Sequence, residues 1–149
     1  MACREATGRG ARTVFAALLL AAGCAGAGGP PPIVTGAACA TCGMEVRDLR
    51  FACERRIGGD WRVYDAIECL MRDAASPSGT GDTWLADYDT QALIAADSAW
   101  VVRGAFASPM GGGLAAFRGR AAADSIAAET RGRVERLATF LAEPTGGAP

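Results

Sequence analysis

The segment over residues 39–44, with the sequence CATCGM, places two thiols and one thioether within six residues. A further thioether, Met110, stands far downstream in the sequence SPMGGG over residues 108–113. Thiolate and thioether sulfurs are soft ligands, which select Cu(I) over most other biological metal ions. We therefore expect a fold that brings these two remote loops together around a copper ion. The candidate ligands are Cys39, Cys42, Met44 and Met110.

Composition excludes several other kinds of site. The chain has 149 residues and contains no histidine and no lysine. Histidine-based catalytic triads, histidine zinc sites and Schiff-base chemistry are therefore impossible. The formal net charge of -1 does not favour a nucleic-acid partner. Since no pair of carboxylates suggests acid–base catalysis either, we predict a binding protein rather than an enzyme.

The first 23 residues have the pattern of a bacterial export signal. Basic residues, including Arg4 and Arg12, precede an apolar run over residues 14–22 that is too short to span a bilayer. Small residues then directly precede Cys24, as in a lipobox. We predict a signal peptide over residues 1–23 and a lipid anchor on Cys24, on a protein that faces the periplasm. The alternative is an ordinary signal peptide with an incidental cysteine.

The mature chain is predicted to consist of a tether, one domain and a tail. The tether covers residues 24–38, which are rich in Gly, Ala and Pro. The domain covers residues 39–141, and a flexible tail follows over residues 142–149. Export places the domain in an oxidising compartment, where disulfides are permitted.

The domain is predicted to be of the α+β class. Its first half contains strands over 50–57 and 61–64, a helix that follows Asp65 and ends near Pro77, and a strand over 83–88. Its second half contains strands over 100–103 and 114–117, a helix over 120–130, and a weaker strand or helix over 134–140. The shared order indicates two ββαβ units, over about 39–90 and 91–141. At the first helix, Asp65 is the expected N-cap and Glu68 completes a capping box.

The Cys-x-x-Cys pair has alternatives to copper. A zinc site would need two further ligands. A thioredoxin-like motif should open a helix directly after a strand, whereas this pair follows the tether. Met44 favours copper, and Gly43 allows the backbone to turn so that Cys42 and Met44 converge. A structural disulfide and a thiol–disulfide reductant that uses Cys39 and Cys42 remain open.

The remaining cysteines and methionines are interpreted as core residues. Cys53 lies on a predicted strand and Cys69 on the predicted helix, and small buried cysteines are common. A Cys53–Cys69 disulfide is possible, but neither residue is expected to bind metal. Met71 has helical spacing and is expected to fill the core. Met110 differs from it, because Pro109 and three glycines prevent a packed core around it.

Several short motifs resemble NosL proteins, and they occur in the same order. In the first half these are CGM at 42–44, RFA at 50–52 and YDAIECL at 64–70. In the second half these are AWVVRG at 99–104, SPMG at 108–111 and AAF at 115–117. The resemblance covers roughly residues 39–132.

NosL proteins are exported copper-binding lipoproteins that accompany nitrous oxide reductase. The resemblance implies a Cu(I) metallochaperone with a duplicated ββαβ scaffold similar to that of organomercurial lyase. It implies an ABC-type maturation transporter as partner, and nitrous oxide reductase or a related copper enzyme as client. For the copper site, the resemblance implies that Cys42 is the thiolate ligand and that Met44 or Met110 is the thioether ligand. Some members use histidine, which this chain lacks; Cys39 in that role would add a second thiolate and slow copper release.

Overall fold

Two antiparallel sheets form the framework of the computed structural model, which describes residues 29–74 and 82–143. The first half contains β1 (Cys53–Ile57), β2 (Asp60–Tyr64), α1 (Ile67–Ala74), β3 (Thr83–Ala86) and β4 (Leu93–Ala95). The second half contains β5 (Trp100–Arg103), β6 (Leu114–Phe117), α2 (Arg120–Thr130), β7 (Arg133–Glu135) and α3 (Leu137–Ala142). Each predicted element is present, and the weak last element is resolved into β7 and α3.

The two sheets repeat one topology. The first sheet has the order β2-β1-β3-β4 and the second has the order β6-β5-β7. In both halves the first strand lies between the second and the third, and all neighbours are antiparallel. The predicted α+β class is therefore confirmed, with β4 and α3 added to the two ββαβ units. Because β4 pairs with β3, the first sheet extends to Ala95 rather than ending near residue 90.

The second sheet is buried on both faces and separates two apolar cores. Successive residues of β5 point to opposite sides, so Val101 joins the first core and Val102 the second. The first core also contains Tyr64, Leu70 and Leu85 from the first sheet and α1. Cys39 belongs to this first core, and Cys42 packs against it.

The second half is tied to the first at the end of β3. The Tyr88 backbone N–H donates to the carbonyl of Ala116 at 2.7 Å. The carboxylate of Asp87 accepts from the backbone N–H of Arg118 at 2.9 Å. Asp87 is 5% exposed. These bonds end β3 at Ala86, earlier than predicted, and fix the relative position of the two sheets.

The ends of the described chain are more structured than the sequence indicated. The Gly36 backbone N–H donates to the carbonyl of Val46 at 2.9 Å, within the predicted tether. At the other end, Glu143 pairs with Arg133 and with Arg103, the latter at 2.7 Å. Gly36 and Glu143 are therefore both bonded to the folded domain. The predicted signal peptide, Cys24 and residues 144–149 lie outside the described residues. Within the described ranges, every helix is too short or too polar to cross a lipid bilayer.

Candidate metal centre

The CATCGM segment forms a closed loop. The Cys39 backbone N–H donates to the carbonyl of Met44 at 2.8 Å, and that of Gly43 donates to the carbonyl of Cys39 at 2.9 Å. Gly43 has a φ of 74°, in the left-handed region that other residues rarely adopt. This glycine therefore makes the turn that the sequence predicted for it.

Two hydrogen bonds dock this loop on the first half of the domain. The Ala40 backbone N–H donates to the carbonyl of Val63 in β2 at 2.8 Å. The Thr41 hydroxyl donates to the carbonyl of Cys69 in α1 at 3.0 Å. The loop is therefore held against the first turn of α1.

This docking gathers three thiols and one carboxylate. The sulfur atoms of Cys39, Cys42 and Cys69 and a carboxylate oxygen of Asp65 all lie within 4.8 Å of one another. We call these four residues the thiol cluster. Asp65 is 1% exposed, Cys69 0% and Cys39 3%, whereas Cys42 is half-buried. The cluster therefore has one side that approaches solvent, at Cys42.

The electrostatics of the thiol cluster favour a bound cation. The Cys42 thiol donates to Oδ1 of Asp65, with an Sγ–O distance of 3.6 Å. The other oxygen, Oδ2, is buried and has no hydrogen-bond partner. A buried carboxylate oxygen without a partner is costly, and a metal ion at the cluster would compensate its charge. Three soft sulfurs among the four donors suit Cu(I) or another thiophilic ion.

Two thiols of the cluster, those of Cys42 and Cys69, have raised pKa values. Burial raises the pKa of Cys42. Burial also raises the pKa of Cys69 far above its ordinary value, with the hydrogen bond to Asp65 as the next cause. A metal ion that binds Cys42 and Cys69 as thiolates must therefore displace their protons. The Arg72 guanidinium lies 3.5 Å from Sγ of Cys69, where it offsets part of the charge of a thiolate.

The two loops singled out in the sequence meet at one cleft. The cleft has a volume of about 580 Å³ and is lined by residues that include Met44, Asp65 and Pro109. Met44 is 45% exposed at this surface. Met110 is half-buried and packs against the apolar core to which Cys39 and Cys69 belong. Met110 thus packs against the core, contrary to the expectation from its glycine-rich loop, while its neighbour Pro109 lines the cleft.

A carboxylate from α1 holds the loop that carries Met110. Oε1 of Glu68 accepts from the Ser108 hydroxyl at 3.0 Å and from the Leu114 backbone N–H at 3.4 Å. The Ser108 hydroxyl in turn accepts from the Gly113 backbone N–H at 3.0 Å. The predicted capping box is therefore wrong, because Glu68 bonds the second half of the domain instead of the start of its own helix.

Asp65 and Cys69 are the site residues that sequence analysis missed. The sequence predicts Asp65 as a helix cap and Cys69 as a core residue, yet both belong to the thiol cluster. They stand four residues apart, with Asp65 two residues before α1 and Cys69 in its first turn. That spacing was the available signal in the sequence. Only the docking of the CATCGM loop shows that Asp65 and Cys69 face the loop thiols.

The alternative disulfides are not formed. Cys39, Cys42, Cys53 and Cys69, the cysteines of the described residues, are all free thiols. Cys53 is buried apart from the thiol cluster, and its thiol donates to the carbonyl of Ala66 at 3.5 Å. The interpretation of Cys53 as a core residue is therefore confirmed.

Comparison with solved structures identifies the fold. The crystal structure of the copper chaperone NosL from Shewanella denitrificans matches this chain with a TM-score of 0.63. The chain has the NosL fold. The match covers 79% of this chain and 100% of that chain, at 16% sequence identity. No protein-family model and no curated protein matches the sequence. The NosL fold agrees with the resemblance that the short motifs indicated.

Proposed function

We propose that this protein is a Cu(I) metallochaperone that holds copper and transfers it during the maturation of a copper enzyme. The observation that carries the proposal is the thiol cluster beside a cleft bordered by two methionine-bearing loops. The similarity of the fold to a copper chaperone supports the same function.

The proposed chemistry is ligand exchange rather than turnover. A thiolate from Cys42 binds the ion, and sulfurs of Cys39, Met44 and Met110 complete its coordination. Cys42 is the central ligand in this scheme because it is the one member of the thiol cluster that is only half-buried. Its sulfur can therefore contact both a buried ion and an incoming ligand. Thioethers carry no proton and no charge, so they can join and leave the copper ion without proton transfer.

A Cu(I) competition titration against a chromophoric chelator tests this function. Cys42→Ser should weaken Cu(I) binding by at least about tenfold, since loss of a ligand costs no less than loss of a residue that orients one. Cys53→Ser is the matched control, because Cys53 is buried outside the thiol cluster. Equal affinities of wild type and Cys42→Ser would show that Cys42 is not a ligand.

A thiol–disulfide reductant is the second candidate, since Cys39 and Cys42 lie close together as free thiols. Reductants attack through a thiolate and therefore need a lowered thiol pKa. Burial raises the pKa of Cys42, which opposes that role. Copper-free protein should accordingly fail to reduce insulin disulfides. Reduction that is lost in Cys39→Ser would instead favour the reductant.

We further propose that the protein is lipid-anchored through Cys24 and acts with an ABC-type transporter in maturing nitrous oxide reductase or a related copper enzyme. The lipobox before Cys24 and the motif resemblance support this assignment. Cys24→Ser should move the protein from the membrane fraction to the soluble one. A reductase purified from a strain that lacks this protein should contain less copper, and wild type but not Cys42→Ser should restore it.

A further inference from the structure

We propose that copper occupies two positions in this centre. The inner position is formed by the thiolates of Cys39, Cys42 and Cys69. The outer position is formed by Cys42 with the thioethers of Met44 and Met110. Copper rests at the inner position and passes through the outer one when it enters or leaves. This inference rests on the proposed function, because it divides the roles of holding and transfer among the sulfurs of the same centre.

Burial separates the two positions. Cys69 is 0% exposed and Cys39 3%, so an incoming ligand can approach an ion that these two sulfurs hold only from the side of Cys42. Met44 is 45% exposed and therefore accessible to a partner's ligand. Copper transfer requires direct contact between the ion and the incoming ligand. Exchange must therefore begin at the outer position.

The cleft brings a residue of the outer position and a residue of the thiol cluster to one surface. Met44 and Pro109 line it, and so does Asp65, a member of the thiol cluster. Asp65 is 1% exposed, and its Oδ2 has no hydrogen-bond partner. A monovalent cation at the cleft is drawn toward this uncompensated carboxylate. Cys42 belongs to both positions, so the ion can pass between them without losing that sulfur.

The inner position binds copper more tightly. It supplies three anionic sulfurs, whereas the outer position supplies one thiolate and two neutral thioethers. Attraction between Cu⁺ and a thiolate is stronger in the buried interior than at an exposed surface. The Arg72 guanidinium, 3.5 Å from Sγ of Cys69, offsets the excess negative charge that these thiolates create. The copper ion stays Cu(I) throughout, and the thiol protons leave to water as it enters.

Two sets of variants test the division of roles. Cys69→Ser removes an inner ligand and should weaken Cu(I) affinity by about tenfold or more, with Cys53→Ser as its matched control. A Met44→Leu/Met110→Leu double variant preserves side-chain size and should weaken Cu(I) affinity far less than Cys69→Ser does. The same double variant should slow Cu(I) transfer to an excess of a chromophoric chelator by about tenfold or more. Met71→Leu, a methionine of the core, is its control.

X-ray absorption of the wild-type protein loaded with one equivalent of Cu(I) tests the resting position without any variant. The inner position predicts one shell of equal, short copper–sulfur distances, and the outer position predicts a mixed shell with longer thioether distances. A mixed shell, or an affinity that falls in the double variant but not in Cys69→Ser, would overturn the proposal. The proposal would also be overturned if the thiol cluster bound Zn²⁺ while the thioethers held the Cu(I). A wild-type protein that binds no Cu(I) would instead overturn the proposed function.

Discussion

The hydroxyl of Thr41 lies 3.0 Å from the backbone carbonyl oxygen of Cys69, to which it donates a hydrogen bond. Thr41 stands between the two cysteines of the CATCGM loop, and Cys69 stands in the first turn of α1. The bond therefore fixes the distance between the loop thiols and the helix thiol. A side chain that binds no metal thus sets the geometry of the centre.

Thr41→Val should loosen this docking without removing a ligand. We expect the variant to bind Cu(I) about tenfold more weakly and to lose about 1 kcal/mol of unfolding free energy with the hydrogen bond. Competition titration and urea unfolding measure the two effects. Thr41→Ser keeps the hydroxyl and is the control. Equal copper affinities of the valine and serine variants would show that the bond does not organise the centre.

Gly113 should be far less tolerant of substitution than Gly111, although both have positive φ, 65° and 73°. A Cβ at Gly113 would lie 2.1 Å from the carbonyl oxygen of Gly104, whereas one at Gly111 would meet open space. Gly111→Ala should cost about 1–2 kcal/mol for the left-handed backbone alone. Gly113→Ala should add an overpacking cost of about 1–3 kcal/mol. Equal losses in urea unfolding would contradict this difference.

The hairpin and the main strands could be predicted because their signals are local. A Gly-Gly turn between two β-favouring runs specifies β1 and β2 without reference to the rest of the chain. β4 was missed because its three residues, Leu93–Ala95, are too few for a periodic pattern. Its existence depends on pairing with β3, which is a tertiary contact.

Of the candidate site, only the two sulfur-bearing loops could be predicted from the sequence. Residues of the CATCGM and SPMGGG segments could be recognised from their sulfur chemistry. Cys69 and Glu68 could not, because their roles depend on which loop packs against each face of α1. Cys69 faces the N-terminal thiols, while Glu68 bonds Ser108 in the second half. Such long-range partners have no local signature in one sequence.

Glu54 should make the protein less stable as pH rises. Its side chain is 0% exposed, both carboxylate oxygens lack hydrogen-bond partners, and burial raises its pKa to about 7. Val63 and Trp84 lie opposite it on the neighbouring strands. Between the ordinary pKa of 4.5 and about 7, the folded state binds a proton that the unfolded state has released. Stability is therefore greatest below that window and falls across it.

We expect Glu54 to lower the unfolding free energy by roughly 2–3 kcal/mol between pH 5 and pH 8, from its raised pKa. Glu54→Gln, which is neutral and of similar size, should remove this fall and be more stable than wild type at pH 8. Urea unfolding at several pH values measures both proteins. Parallel pH profiles of wild type and Glu54→Gln would contradict the prediction.

Asp73→Asn should be among the most destabilising substitutions in this domain. Oδ2 of Asp73 accepts from the Tyr64 hydroxyl at 2.5 Å and from the Arg55 guanidinium at 2.6 Å. Arg55 is only 3% exposed, so the variant would leave a buried cation without its counter-charge. Breaking a buried ion pair in this way costs about 3–5 kcal/mol. Asp124→Asn, which breaks an exposed pair with Arg120, should cost less than about 1 kcal/mol.

The pH dependence distinguishes this charge effect from a loss of packing. The Tyr64 hydrogen bond and then the charge of Arg55 lower the pKa of Asp73. A lowered carboxyl pKa contributes stability that is complete above the ordinary value of about 3.9 and is lost as pH falls through the folded pKa. The difference in unfolding free energy between wild type and Asp73→Asn should therefore be constant near neutral pH and shrink in acid. If this difference persists unchanged below about pH 3, the lost stability of Asp73→Asn comes from packing instead.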